Sequence, residues 1–298
     1  MIKIFSNFRN PDTDPLFSHL RNEFGNSPIT IFFEYIPTKT EELSINPYNF
    51  LILMEPNEFF GLHNIAVKLQ EHFTAIISWS DIIHNNCKNG ILLTFNGRVL
   101  DNNFIDDIKN IKKKFEVSFL CGDKNITEGH ILRQKVYNIN SNIKISKKWY
   151  YVLDDYDHTT KSRPGYTNYS KDLSHINKNI DPIGYGKRIL YKESMFNVVI
   201  ENVFHKNWYN KIGDNFLTKT VPIYWGCPNI SDFGYDERGI IRFKNENELL
   251  NIINSITPDL YNSMKPYIDY NFEIAKQDDL ETRLGEIFTQ FLKQNNIS

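Results

Sequence analysis

Residues 195–230 read MFNVVIENVFHKNWYNKIGDNFLTKTVPIYWGCPNI and gather the side chains best suited to holding a phosphorylated ligand. An apolar run ends in Glu201-Asn202, a polar loop follows, Lys211 opens a helix-like stretch, and the run VPIYWG turns at Gly226. A carboxylate and an amide leaving a strand end offer hydrogen-bond partners that suit ribose hydroxyls or the edge of a base. A lysine near a helix N-terminus places a cation beside backbone N–H groups, the makings of a diphosphate site. The same residues admit a purely structural reading, with Glu201 as a cap and Lys211 as a surface charge. No Gly-rich phosphate loop accompanies them to decide the matter.

Other residues carry weaker signals. Asp155-Tyr156-Asp157-His158 contains an Asp-x-Asp, but it lies in a polar loop and is read as no metal site. His130 and His205 each stand alone and read as polar surface. Trp149, Tyr150, Tyr166 and Tyr169 flank the same loop; sugar faces stack on such rings, although core packing accounts for most of them. Cys87, Cys121 and Cys227 are an odd number without ligand spacing, so they read as buried or free thiols with no disulfide framework. Lys112-Lys113-Lys114 reads as a solvated helix end. A net charge of −2 over 298 residues provides no global field for nucleic acid. No apolar run approaches the ~20 residues of a membrane span, and MIKIFSNFRN lacks a signal-peptide core. A cytoplasmic protein with no nucleic-acid partner and no integral membrane segment is therefore expected.

These residues need a scaffold. The chain is 41% hydrophobic and 23% charged, an ordinary globular composition, and its length predicts two domains. Strand-like runs at 2–5, 29–33, 50–54, 75–79 and 91–95 alternate with helical candidates at 15–24 and 62–73. In the second helix Ile65, Leu69 and Phe73 would share a face. Such alternation predicts a parallel sheet of Rossmann type. After a polar stretch the pattern restarts with a strand at 115–120, a turn at 121–125 and a helix at 126–137. The boundary is placed near residue 112, giving an N-terminal domain of 1–112 and a C-terminal domain of 113–298. Residues 155–187 form a long polar loop of the functional kind. Strands at 196–200, 221–225 and 239–243 and helices at 211–218 and 246–256 follow. A helical end at 258–292 carries Tyr267, Phe272, Leu284, Ile287 and Phe291 as anchors. Ligands of such α/β sheets sit beyond the carboxyl ends of the strands.

The 195–230 segment resembles the C-terminal donor-binding motif of the family 10 glycosyltransferases, the α1,3/α1,4-fucosyltransferases. That motif runs roughly YKF-x-x-x-FEN, then Y-x-TEK, a helix, and IPIYWG. The counterparts are Tyr191-Lys192 with Phe196, Ile200-Glu201-Asn202, Asn207 to Lys211, and Val221 to Gly226. The resemblance implies a GT-B architecture, two Rossmann-like domains facing a central cleft. It implies an inverting transferase that moves fucose from GDP-fucose to a glycan hydroxyl. No metal and no further cofactor would be required, because positive side chains stabilise the leaving diphosphate.

Residue by residue, the resemblance carries over as follows. VSFLCGDKNITEGHILRQ offers Arg133 where the family has a helix arginine on the diphosphate. Lys211 would join it, with Glu201, Asn202 and Asn210 orienting the ribose or sugar. The family's catalytic base, a glutamate after a strand of the acceptor-side domain, matches Glu55 in NFLILMEPNEFF, with Glu58 as the alternative. Pro56 would hold Glu55 extended and stop the strand. The chain departs from the pattern at 207–210, where Asn-Trp-Tyr-Asn replaces the Tyr-x-Thr-Glu of the family. Asn210 keeps hydrogen bonding but loses the charge. Another nucleotide sugar, or a non-catalytic carbohydrate- or nucleotide-binding relative, is the alternative this opens.

Overall fold

Short apolar runs become the strands of two parallel sheets in the computed structural model, which describes residues 1–7, 9–94, 108, 110–122, 124–152, 167–168, 188 and 190–297. The first sheet holds β1 (Lys3–Ser6), β2 (Ile29–Phe33), β3 (Tyr48–Leu53), β4 (Ala75–Ser78) and β5 (Gly90–Leu92) in that order, each pair parallel. Between them run α1 (Pro15–Phe24), α2 (Thr40–Leu43), α3 (Asn57–Phe60), α4 (Leu62–Lys68) and α5 (Asp81–Asn86). All five residues of β2 are buried, as expected of a strand covered on both faces. Helix α1 starts where Asp14 accepts from Leu16 N and Pro15 takes the first position.

The helix expected over 62–73 is shorter. It ends at Lys68, a 3-10 turn occupies Gln70–His72, and Ile65 is 41% exposed while His63 and Ala66 face inward. Gln70 explains the early stop. Its side-chain amide donates to Val67 O and Asn86 O, which ties the chain into a turn and leaves Phe73 buried ahead of β4.

The second sheet has the order β11-β10-β9-β6-β7-β8, again parallel throughout. Its strands are β6 (Lys114–Gly122), β7 (Lys147–Val152), β8 (Thr167–Asn168), β9 (Ser194–Ile200), β10 (Val221–Trp225) and β11 (Ile241–Arg242). Helices α6 (Glu128–Asn138), α7 (Ile212–Leu217), α8 (Glu246–Ser255) and α9 (Pro258–Ala275) accompany them. Cys121 and Gly122 continue β6, so the turn expected at 121–125 begins later. Strand β7 opens with two lysines and gave no strand signal; Lys148 is accommodated by pairing with Glu116 of β6 at 2.8 Å. Strand β6 has β7 on one side and β9 on the other, so the order of connection reverses between β6 and β9.

The lysine run at 112–114 is no helix end. Lys114 starts β6, and the buried ammonium of Lys113 donates to Lys192 O (2.7 Å), Thr218 O (2.6 Å) and Thr220 Oγ1 (2.8 Å). Burial holds its pKa well below the ordinary lysine value.

The chain divides into two compact units, Met1–Phe95 with Asp279–Ser298, and Asn96–Asp278. This division differs from the expected domains of 1–112 and 113–298 in returning residues 279–298 to the first unit. The returning segment is α10 (Leu280–Gln294), capped by Asp279 on Thr282 N at 2.8 Å. Its aromatic face explains the return. Phe288 meets Phe24 and Phe50 edge-on with centroids 5.6 and 5.1 Å apart, and Phe291 meets Phe50 at 4.9 Å. The three cysteines are buried thiols, and Trp149 is buried against Phe119. Asp155 to His158, Tyr166 and Tyr169 lie outside the described residues. Among those described, no helix is long and apolar enough to cross a membrane, and no group of three or more His, Cys, Asp or Glu could hold a metal.

Candidate functional site

The reversal between β6 and β9 is where an open parallel sheet offers a ligand crevice beyond its carboxyl ends. Helix α6 leaves β6 and sets its first turn against the end of β9. Gly129 N donates to Asn202 O at 3.0 Å, and a Cβ on residue 129 would fall 1.8 Å from Glu201 O. Glycine is required there by close approach alone. Glu128 of the same turn accepts from Phe204 N at 2.8 Å, so α6 also fixes the loop after β9.

Two turns into α6, Arg133 is 7% exposed. Its Nε and Nη2 donate to Ile200 O at 3.1 and 2.6 Å, and Nη2 also reaches Asn202 Oδ1 at 2.8 Å. These bonds leave Nη1 for a ligand. Burial pulls the guanidinium pKa down to about 10, which keeps it a cation at neutral pH. Arg133 is first a clamp on the strand end and, through its remaining nitrogen and its charge, a candidate anion contact.

Glu201 is completely buried. Its Oε1 accepts from Lys211 N at 2.8 Å and Ile212 N at 3.3 Å, and the Tyr224 hydroxyl lies 3.4 Å away. Oε2 has no partner, and burial raises the carboxyl pKa. A Cβ at Gly226 would lie 2.4 Å from Glu201 Cγ, so this glycine too is set by space. Glu201 thus caps α7, the structural role, and its burial keeps it from direct contact with a ribose. The backbone N–H groups expected to meet a diphosphate at Lys211 are the ones Glu201 occupies. What Lys211 contributes is its side chain, whose charge acts on both Glu201 and His130. Asn202 and Asn210 are half-buried, and the Asn202 amide is engaged by Arg133.

His130, expected on the surface, is 4% exposed. Thr127 N donates to its Nδ1 at 3.2 Å, with Thr127 Oγ1 at 2.7 Å, which assigns the ring proton to Nε2. Burial, then the charges of Arg133, Lys211 and Lys124, pull the imidazole pKa down to about 4. It is neutral at pH 7, and the charges of these three cations favour that form. The Thr-x-x-His spacing at a helix start is the signal that could have found it, since it is the geometry of a capping box. His205 is exposed, as read from the sequence.

Glu55 and Glu58 lie in the first unit. Glu55 follows β3 and is half-buried; Glu58 sits in the first turn of α3 and is exposed. Pro56 ends the extended segment and leads into α3. The peptide that carries Glu55 is held at both ends. Glu34 Oε1 accepts from Glu55 N at 2.7 Å and also from Met54 N, and Trp79 Nε1 donates to Met54 O at 2.9 Å. Glu34 is 2% exposed, and burial pushes its carboxyl up to about 8. An acid directly after the apolar run ITIFF was the only trace of this residue in the sequence.

No family model matches the chain, and no curated protein matches it. Solved structures do. An α1,3-fucosyltransferase superposes with a TM-score of 0.53 at 14% identity, covering 94% of this chain and 90% of that one. HepE of Anabaena, in complex with UDP, gives 0.56 at 12% identity over 98% and 99%. Sucrose-phosphate synthase of Thermosynechococcus elongatus gives 0.53 at 10% identity over 93% and 76%. At these identities the likeness is one of fold, and the fold is the GT-B type, α/β with two parallel-sheet units.

Proposed function

We propose that this protein is an inverting glycosyltransferase that moves fucose from GDP-fucose to a glycan hydroxyl. The observation that carries the reading is the placement of Arg133 on the end of β9, where it donates to Ile200 O and Asn202 Oδ1 beside the turn that starts α6. A buried cation at a strand end, with the charge of Lys211 nearby, suits the diphosphate of a nucleotide sugar. The motif formed by Glu201, Asn202, Lys211 and the VPIYWG run points to the fucosyl donor, in a fold shared with an α1,3-fucosyltransferase.

In this mechanism Arg133 Nη1 and the Lys211 ammonium take up the charge that grows on the leaving GDP. Asn202 and Asn210 contribute amide contacts to the ribose or sugar. Glu55 takes the proton of the acceptor hydroxyl while that oxygen attacks the anomeric carbon; the bond to the diphosphate breaks and the configuration inverts. Glu58 is the alternative base. Positive side chains supply the charge neutralisation, so the reading asks for no divalent metal.

A second reading, transfer from another nucleotide sugar, is favoured by Asn210 in the position of the family's glutamate and by the UDP bound to HepE. Calorimetric titration with GDP, GDP-fucose, GDP-mannose and UDP-glucose separates the two. Heat with GDP and GDP-fucose is expected; heat with UDP-glucose alone moves the protein to the second reading, and heat with none of them ends both.

A further inference from the structure

We propose that Glu34 is the positioning residue for the general base, fixing the peptide from which Glu55 projects; this rests on the reading of Glu55 as that base. Glu34 is a non-glycine residue at φ +50°, a left-handed conformation that costs energy unless its surroundings impose it. They do so at three points. Its N–H donates to Ile52 O at 2.9 Å, its carbonyl accepts from Asn7 Nδ2 at 2.8 Å, and its carboxyl takes the N–H groups of Met54 and Glu55. The strained backbone turns the side chain of a β2 end across to the end of β3.

The result is a peptide held by two neighbouring strands. Met54 O is bound by Trp79 after β4, and Glu55 N by Glu34 after β2. Rotation about that peptide, which would swing the Glu55 side chain, breaks one bond or the other. Reacting groups need this kind of constraint, because a misplacement of ~1 Å can cost ~100-fold in rate.

The charges facing Glu34 are Glu55 itself and Arg9, from the segment between β1 and α1. Burial keeps Glu34 protonated at neutral pH. A neutral carboxyl accepts two N–H bonds through one oxygen without repelling the adjacent carboxylate. Glutamine has the same shape, the same acceptor and no charge. It should therefore replace Glu34 where alanine cannot.

The test is hydrolytic release of GDP from GDP-fucose, water serving as the acceptor hydroxyl, with Kd for GDP measured in parallel. Glu34→Ala is expected to lower kcat by ~10- to 100-fold with KM and Kd for the donor unchanged, and Glu34→Gln to stay within ~3-fold of the wild type. Wild-type kcat in Glu34→Ala, or equal losses in both variants, would overturn the proposal. If Glu34→Ala fails to fold, Trp79→Phe decides: it removes the other bond to the same peptide, and an unchanged kcat sinks the idea. Glu55→Gln run alongside keeps the two claims apart. Full turnover there removes the base assignment itself, whereas a dead Glu55→Gln beside a normal Glu34→Ala removes the positioning role alone.

Discussion

At the end of β2, Glu34 points one carboxyl oxygen at two consecutive backbone N–H groups, those of Met54 and Glu55. At the end of β9, Glu201 does the same to Lys211 and Ile212. Both are buried, and burial raises both pKa values. Their neighbours differ. Glu201 is faced by the cations Lys211 and Arg133, which favour its charged form, whereas at Glu34 the carboxylate Glu55, which disfavours it, outweighs the opposing charge of Arg9. One local device thus serves two electrical purposes. In the second unit it holds the backbone of a lysine whose charge, with that of Arg133, favours a carboxylate. In the first it holds the backbone of Glu55 beside a neutral acid.

The largest expected effect tests the first unit. Glu55→Gln should lower kcat by ~10²- to 10⁴-fold, the usual contribution of a positioned general base, and leave GDP affinity unchanged. A simultaneous loss of GDP binding would show that the two strand ends do not divide the labour in this way. Next comes the second cap. Glu201→Ala leaves the N–H groups of Lys211 and Ile212 without their acceptor in a buried setting and should cost about 3 kcal/mol in urea unfolding. A change below ~0.5 kcal/mol would mean that the cap is dispensable. Lys211→Ala is expected to weaken GDP binding ~10-fold by calorimetry, an effect that shrinks as salt is raised. Salt-independent loss would point to a packing role for this side chain instead.

The parts legible in the sequence share a physical cause. Strands β2 and β10 and helix α1 have the bounds their patterns predict, because an unbroken apolar run or an Asp-Pro start leaves little alternative. The residues of the 195–230 segment stood out as a group for a related reason. Glu201, Tyr224, Gly226 and Lys211 interlock around one buried carboxylate, so their spacing is rigid. Their roles were not legible. A carboxylate that caps a helix and one that grips a ribose are the same letter, and burial decides between them. The helical end at 258–292 was visible, but not its division into α9 and α10 or the partner of α10, since Phe288 and Phe291 match any aromatic surface equally well. Glu34 was out of reach altogether. Its partners lie 20 and 21 positions away, and nothing in a sequence marks a left-handed glutamate.

The smallest effect, and the one that separates the two fields most directly, is in the pH dependence of stability. The folded pKa of Glu34, about 8, lies above its unfolded value, so the folded state holds the extra proton. Its contribution is full below the unfolded carboxylate value and is lost as pH rises toward 8, with a slope of at most ~1.4 kcal/mol per pH unit. Glu34→Gln should therefore gain on the wild type as pH is raised from 5 to 8. The folded pKa of His130, about 4, lies below its unfolded value, so the folded state binds fewer protons. Stability is then lost as pH falls from about 6.5 toward 4, and His130→Asn should gain on the wild type in that direction. Hydrogen exchange can follow urea unfolding of each unit by itself and measures both difference curves. Slopes of opposite sign are the expected result. Two slopes of the same sign would mean that one group does not sit in the field described for it, and the contrast between the cation-faced and carboxylate-faced strand ends would fail at that group.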